Sequence, residues 1–484
     1  MPFAIRRVFL FLGLIKKGEN TMEKKKTSFK IPHTYVLLIG VMLVMAILTW
    51  LVPAGQFERI EQAGRTIAVP GSWHAVDANP QGFFEIINSI PRGLTDSAEI
   101  SFFIFLIGGA FTVINATGTV EALIYKLSQK LNGAEILVIP IFLLVFGIAG
   151  ATLGFSEETI VFIPMGISLA LALGFDAIVG MSIIASGAAI GFSAGFMNPF
   201  AVGIAQGIAE LPTFSGMGLR IVMFLVLWVV TSAYIMRYAM RVKKDPTKSF
   251  VYDEFDQKNS VEKAEFVALE KRHIFVGLIF LAGILAIAFG VIEYGWYIQE
   301  IGAIFMITGI IAGFVYGFGP SKVADLFVEG AKDMVFAALI VGVARSIVIV
   351  MEDGMIIDTI VNTLAGTVEG LPGALAAVAM YVIQIIINFI IPSGSGQAAA
   401  TMPIMVPLAD AVGITRQTAV MAYQLGAGFM DSIMLTSGVL MAQLSIAKIP
   451  YNKWVRYLGP LMIIWLLIGV VFLVFAYYTN YGPF

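Results

Sequence analysis

The chain contains no cysteine, which excludes disulfides, thiolate metal sites and cysteine catalysis. It has only three histidines, His33, His74 and His273, spread over segment ends and a loop, so no histidine-built metal centre is expected. Charge is scarce too, at 13% of residues against about 25% in soluble domains. No basic patch marks a nucleic-acid surface. Neither an H-E-x-x-H nor a P-loop sequence occurs, so zinc proteolysis and direct ATP coupling have no support. Short segments of alternating hydrophobicity, the mark of a membrane β-barrel, are also missing.

What the chain has is apolar length. It is 58% hydrophobic with a mean hydropathy of +0.89, and apolar runs of about 20 residues, each able to cross about 30 Å of hydrocarbon, recur from His33 onward. This predicts an all-α polytopic membrane protein. The net charge of −2 matters less than where the charges lie.

Lysines set the orientation. Lys24–Lys26 put a cytoplasmic segment, 1–32, before the first crossing. Within it, Arg6 and Arg7 precede the apolar Val8–Ile15 without a cleavage site, and Met22 is an alternative start. The first repeat is expected over 33–240. His33–Val52 crosses outward, Pro53–Pro80 forms an external loop with a small hairpin, and Glu99–Ala116 returns. Thr119–Leu131 reads as an interfacial amphipathic helix. A re-entrant hairpin over 134–173 and a broken crossing over 177–209 follow, then Leu219–Tyr238. Residues 241–272 form a charged cytoplasmic linker with a helix near Val261–Glu270. The second half, 273–484, repeats the pattern inverted: crossings at Ile274–Val291, Ile298–Phe318 and Met334–Val350, an amphipathic stretch at Ile356–Val368, a hairpin over 372–411, a broken crossing over 415–447, and Leu458–Tyr478. Nine crossings and two hairpins place the N-terminus inside and the C-terminus outside.

The duplication can be seen residue by residue. A shift of 239 positions carries Pro164 onto Pro403, Ser156 onto Ser395, Gly174 onto Gly413 and Gly187 onto Gly426. Paired interrupted segments near mid-membrane are the best sequence pointer to the substrate site of a secondary transporter. Irregular backbone survives in a bilayer only inside protein or against water, and a helix N-terminus exposed there attracts anionic groups.

The polar residues at these breaks are the candidate binding groups. In the first hairpin they are Ser156, Glu157 and Glu158. Carboxylates at membrane depth cost roughly 2.5–3.5 kcal/mol or more and mark ion or substrate paths. A tip close to the cytoplasm, with both acids solvated, is the alternative. The first broken crossing offers Ser193 and Asn198 beside Gly191, Gly195 and Pro199, as ligands or as the furniture of a proline kink capped by Asn198. The second hairpin offers Ser393, Ser395, Gln397 and Thr401, and the second broken crossing Asp431, Thr436 and Ser437, the last two matching Asn198 by position. Arg345 lies within an apolar run, either to hold a substrate carboxylate or to pair within the scaffold; Asp176 and Asp410 read as interfacial caps. Gly191-Phe-Ser-Ala-Gly195 matches the hydrolase G-x-S-x-G elbow, but it sits in an apolar helix with no histidine nearby, so the match is chance.

Several of these segments together resemble one family. Gly-Phe-Ser-Glu-Glu (154–158), Met-Asn-Pro-Phe (197–200), Ala-Gln-Gly-Ile-Ala (205–209), Ser-Gly-Ser-Gly-Gln-Ala-Ala (393–399) and Thr-Ser-Gly-Val-Leu-Met (436–441) look like the YfcC family. This is a branch of the DcuC-type, ion-transporter superfamily related to arginine/ornithine antiporters. Val52-Pro-Ala-Gly-Gln-Phe57 fits as well, and the resemblance runs from about Phe29 to near the end. It implies secondary transport in the bacterial inner membrane by an elevator-like homodimer. The family's substrates are basic amino acids and C4-dicarboxylates. Relatives carry Gly-Asp-Gly-Phe where this chain has Gly426-Ala427-Gly428-Phe429, so Ala427 replaces an acid and Asp431 follows one turn later. The expected function is ion-coupled or exchange transport of a small polar solute, a basic amino acid first and a C4-dicarboxylate second, with a passive channel or intramembrane enzyme as competing classes. No cofactor is expected beyond a coupling Na+ or H+, and no metal site, with Na+ at the hairpin tips as the alternative. The expected partners are membrane lipid and a second copy, not nucleic acid.

Overall fold

The computed structural model describes residues 34–482 apart from 63–64, 121, 123–125, 127–133, 254–268, 295, 297 and 369. The N-terminal segment, most of Thr119–Leu131 and most of the expected linker helix therefore lie outside the described residues. The described chain is a bundle of helices with one small β layer. It begins with α1 (Thr34–Leu51), β1 (Gly55–Gln56), β2 (Arg59–Gln62), β3 (Arg65–Ala68) and β4 (His74–Ala75), then α2 (Phe83–Asp96) and α3 (Ala98–Ala116). Next come α4 (Val138–Leu153), a 3-10 turn at Glu157–Phe162, α5 (Ile163–Ala172), α6 (Ala177–Ala194), a π turn at Pro199–Gly203, α7 (Ile204–Ile208) and α8 (Met217–Lys244). The second half holds α9 (Lys271–Tyr294), α10 (Ile298–Tyr316), α11 (Pro320–Asp333), α12 (Val335–Asp353), α13 (Ile357–Gly366), α14 (Gly373–Ile390), α15 (Gly394–Ala411), α16 (Arg416–Met430), α17 (Gly438–Ala447) and α18 (Tyr451–Tyr478).

Among the described residues, eight helices are long and apolar enough to cross a membrane, including the first arms of both expected hairpins, Glu135–Leu153 and Gly373–Ile390. Burial separates centre from periphery. The Ala177–Ile208 stretch is 83% buried, whereas Met217–Lys244 and Tyr451–Tyr478 are only 39% and 33% buried. The interrupted crossing therefore sits in the middle, and helices with open apolar faces surround it.

The segment 53–80 holds the expected small hairpin, with β2 antiparallel to β3 and β1 to β4. It is pinned to the second half: the Phe57 amide donates to Asp358 Oδ2 at 3.0 Å, and Arg59 pairs with the same carboxylate at 2.8 Å. Two helices have no hydropathy signature, α2, which contains Pro91, and α11. Their apolar residues fall on one face only, so a run-length reading passes over them. Arg92 and Asp353 join α2 to α12. Arg345, also on α12, pairs with Asp96 at the end of α2 and, at 3.5 Å, with Glu352. Its charge is thus committed to the scaffold, not held free for a substrate.

Repeat-related positions carry the same local devices. Gly174 and Gly413 both have positive φ, +81° and +72°, where a side chain would be strained. Two residues later Asp176 caps α6 by accepting from the Val179 amide, and Thr415 caps α16 by accepting from the Thr418 amide. Beyond each interruption Asn198 accepts from the Phe200 and Ala201 amides, and Ser437 from the Leu440 amide. All three pairs stand 239 positions apart. Asp176 does more than cap: it is 1% exposed, and its Oδ2 accepts from Tyr238 Oη at 2.5 Å and Ser249 Oγ at 2.6 Å.

Helices α4 and α6 touch backbone to backbone. A Cβ on Gly191 would lie 1.9 Å from the Gly147 carbonyl oxygen, and one on Gly150 would lie 2.3 Å from that of Ala188. Neither carbonyl can rotate away without breaking its helix. Gly191→Ala should therefore eliminate a monodisperse folded peak in detergent size-exclusion chromatography. Gly207→Ala, whose Cβ would meet nothing within 4 Å, should leave that peak unchanged.

Candidate functional site

Both interruptions and both hairpin turns meet at one place. Apolar α4 ends at its C-cap Gly154, whose φ of +72° reverses the chain. A Cβ there would lie 2.9 Å from Asn198 Oδ1, so the first turn rests on the first interruption. The Met197 amide donates to the Ala151 carbonyl at 3.0 Å and fixes that contact. From the other half, Gln424 Nε2 donates to the Phe192 carbonyl. A Cβ on Gly428 would fall 2.7 Å from Ser193 Cα, so α6 and α16 cross in near-backbone contact. Phe192 closes the circle, lying 3.0 Å from where a Gly394 Cβ would be.

A cavity of about 40 Å³ opens between these elements, with Ser156, Asp431 and Ser437 among its lining residues. That volume holds a few waters or a bare ion. Ser186 and Gln443, polar residues with no motif around them, line it too. Gln443 Nε2 donates to Thr159 Oγ1 at 2.7 Å, tying α17 to the first turn. Glu158, 5% exposed, folds back so that its Oε2 accepts the Ser156 amide at 3.0 Å. Glu157 is partly exposed and lies within electrostatic reach of both Glu158 and Asp431.

The second half supplies a buried amide network. Asn388 Nδ2 donates to Asp431 Oδ1 at 3.2 Å and to Gln397 Oε1 at 3.1 Å. Gln397 Nε2 in turn donates to Gln384 Oε1 at 2.7 Å, and Gln384 Nε2 to Thr401 Oγ1 at 3.0 Å. Gln397 and Thr401 thus sit in the network behind Asp431. Ser393 caps α15 by accepting from the Gly396 amide, and Ser393 and Ser395 are exposed. The second turn is shorter than the glycine-serine pattern suggests. The chain bends at 391–393, and Gly394–Gln397 already form the first turn of α15, because a serine cap lets the following glycines start a helix. Ser193 donates to the Ala189 carbonyl at 2.7 Å within continuous α6; it is a helix-packing residue and not a strained elbow.

Several buried polar atoms here have no partner: Ser186 Oγ, Asn198 Nδ2, Asn388 Oδ1, Gln424 Oε1 and Thr436 Oγ1. Buried polar atoms are nearly always satisfied, so a cluster of orphans marks where a bound species belongs. Among the described residues no salt bridge reaches Glu157, Glu158 or Asp431, and no three His, Asp or Glu side chains group as metal ligands. The residues sequence reasoning missed are Gln384, Asn388, Ser186 and Gln443. The first two did leave a signal, as amides one turn apart in an otherwise apolar helix.

The family model for the C4-dicarboxylate anaerobic carrier, DcuC, matches residues 31–478. A putative basic amino acid antiporter, YfcC, of Escherichia coli strain K12 is 33% identical over 480 residues, covering 90% of this chain and 94% of its own. An uncharacterized protein of Haemophilus influenzae is 30% identical over 499 residues, covering 93% and 98%. Among solved structures, Neisseria gonorrhoeae MtrF, presented as illuminating a class of antimetabolite efflux pumps, aligns at 17% identity with a TM-score of 0.42, covering 93% of this chain and 96% of its own. The Alcanivorax borkumensis YdaH transporter aligns at 16% identity and 0.40, covering 93% and 100%.

The amide network makes its own forecast. Gln397→Leu removes its hydrogen bonds with the Asn388 and Gln384 side chains, at about 0.5–1.5 kcal/mol for each bond lost. The apparent melting temperature in detergent should fall by several degrees, while Ser395→Ala, at an exposed position, should leave it unchanged.

Proposed function

The chain belongs to the DcuC family of membrane transporters, and we propose that it is a secondary active carrier of a small polar organic solute, a basic amino acid in the first instance. The observation that carries this reading is the convergence of Glu157, Glu158 and Asp431 on the interrupted helices, with no salt bridge to any of them among the described residues. Uncompensated carboxylates in a low-dielectric chamber favour a cationic ligand or coupling cation. The name of the Escherichia coli relative, a putative basic amino acid antiporter, points the same way. A second reading, a C4-dicarboxylate carrier, follows the family description. It would use the capped starts of the Pro199–Gly203 turn, α15 and α17, the orphan hydroxyls and amides, and a co-bound cation to offset the acids.

In this reading the turns at 154–156 and 391–393 are tips of re-entrant hairpins, and the two halves are inverted repeats meeting at mid-membrane. The shared caps and glycines at a spacing of 239 support it. The carrier works in the bacterial inner membrane with its N-terminus in the cytoplasm, as a homodimer with elevator-type alternating access. Proton or sodium coupling falls to the acids and hydroxyls around the cavity.

Binding comes first in the test. A thermal-shift screen of purified protein against basic amino acids and dicarboxylates, with and without sodium, should single out one class, since ligands of the folded state raise its apparent stability. In proteoliposomes that ligand should show saturable counterflow. Glu158→Gln and Asp431→Asn should each reduce uptake at least a hundredfold while the protein remains folded. Wild-type rates in both would remove these residues from the binding role, and unsaturable flux would favour a channel instead.

A further inference from the structure

Two of the peripheral helices carry their cations to one spot. On α8 the exposed side chains form a single stripe, Val222, Val226, Val229 and Ala233, then Arg237 and Arg241, at the three- and four-residue steps that keep one helix face. On α18 the exposed stripe is Arg456, Pro460, Ile463, Leu467 and Val471. Each is an apolar wall that ends in arginine. The two helices touch and run antiparallel: Trp465 Nε1 donates to Thr231 Oγ1 at 2.8 Å, and Tyr234 Oη to the Tyr457 carbonyl at 2.5 Å. With about 3.6 residues per turn, each stripe lies about a third of a turn back from its own contact residues, in the same rotational sense. For antiparallel neighbours that puts both stripes on the same side of the pair, with the arginines at the same end.

The arginines gather round one group of rings. Arg456 lies over the Phe250 ring, 5.5 Å from its centroid. Phe250 stacks on Tyr238 at 5.7 Å, and Tyr238 lies 4.8 Å from Tyr457. Arg241 is within electrostatic reach of Tyr234. Neighbouring lysines are already paired, Lys243 with Glu135 at 3.5 Å and Lys248 with Asp245 at 3.3 Å. Arg237, Arg241 and Arg456 have no salt bridge among the described residues. Like charges thus converge at the rim of a lipid-facing surface, with no acid of the described chain paired to them.

We propose that this face holds one anionic phospholipid. Its phosphate is bridged by Arg241 and Arg456, with Arg237 beside it, and its acyl chains lie along the two apolar stripes. Guanidinium forks match phosphate oxygens in bidentate pairs, and basic sites between membrane helices on the cytoplasmic side suit acidic headgroups. A zwitterionic lipid brings a cation of its own to three arginines, so a net negative headgroup is selected. The bound lipid joins α8 to α18 beside the rings that hold the segment after α8. The site requires only that these helices face lipid, and it is independent of the solute carried.

The test uses the full-length protein in neutral detergent at low ionic strength, with phosphatidylglycerol or phosphatidylcholine added stepwise. Phosphatidylglycerol should raise the melting midpoint by several degrees with a saturable response, as binding to the folded state requires. Phosphatidylcholine and inorganic phosphate should not. The double variant Arg241→Gln, Arg456→Gln should need about tenfold more phosphatidylglycerol for half the shift, as loss of charge-assisted bonds implies. Lys322→Gln, Lys332→Gln, the same charge loss at exposed positions of α11, should match the wild type. Should the arginine variant fail to fold, phosphatidylglycerol with a photoreactive acyl chain locates the site on wild-type protein, where label should concentrate on α8 and α18. Equal shifts with both lipids, a shift given by inorganic phosphate, an unchanged response in the arginine variant, an equal loss in the lysine variant, or label spread evenly over the exposed helices would each overturn the assignment. A failure of solute transport with the lipid response intact would count against the carrier reading alone.

Discussion

Satisfaction of the peptide backbone where helices stop inside the protein is the constraint on which the rest of this fold depends. Hydrocarbon offers no hydrogen bonds, so each bare N–H or C=O at depth costs several kcal/mol. The chain meets this with side chains from its own sequence. Asn198 takes the two amides after the first interruption, Ser437 one after the second, and Ser393 one at the start of α15. The broken ends are also pressed against each other. Gly428 on Ser193, and Gly154 on Asn198, keep lipid away from backbone that could not tolerate it. The polar chamber is what remains once those requirements are met.

That chamber is asymmetric although the halves are related. Glu158 in the first half and Gln397 in the second occupy equivalent positions, and both are buried. The first half presents carboxylates close to the turn, whereas the second buries a relay of amides that ends on Asp431. Duplication kept the geometry and let the charges diverge. The chamber therefore has two chemically different walls, one acidic and one of neutral donors and acceptors.

Much of this was legible in the sequence because hydropathy and punctuation report directly on it. Apolar run length marked the long helices. The paired glycines and prolines marked the interruptions, and the resemblance to a carrier family agrees with the family match. Arg345 shows where single-residue reading stops: its partners, Asp96 and Glu352, come from α2, a helix whose one-sided pattern leaves no hydropathy peak, and from its own helix end. Ser186 and Gln443 were invisible for another reason. A lone polar residue in an apolar helix says nothing about direction until its neighbours are known. The glycines of the second turn misled because Gly-Ser repeats signal loops, whereas one serine in front of them is enough to begin a helix.

The knot around Asp176 has a mechanical corollary. Its carboxylate holds the start of α6, the body of α8 through Tyr238 and the following strap through Ser249, while Phe250 stacks on Tyr238 and sits beneath the Arg456 guanidinium. Sliding α6 past α8 would strand an acid among apolar side chains and release two donors, Tyr238 and Ser249, at once. Any displacement of α6 must therefore carry α8 and the strap with it, so these parts behave as one mechanical unit.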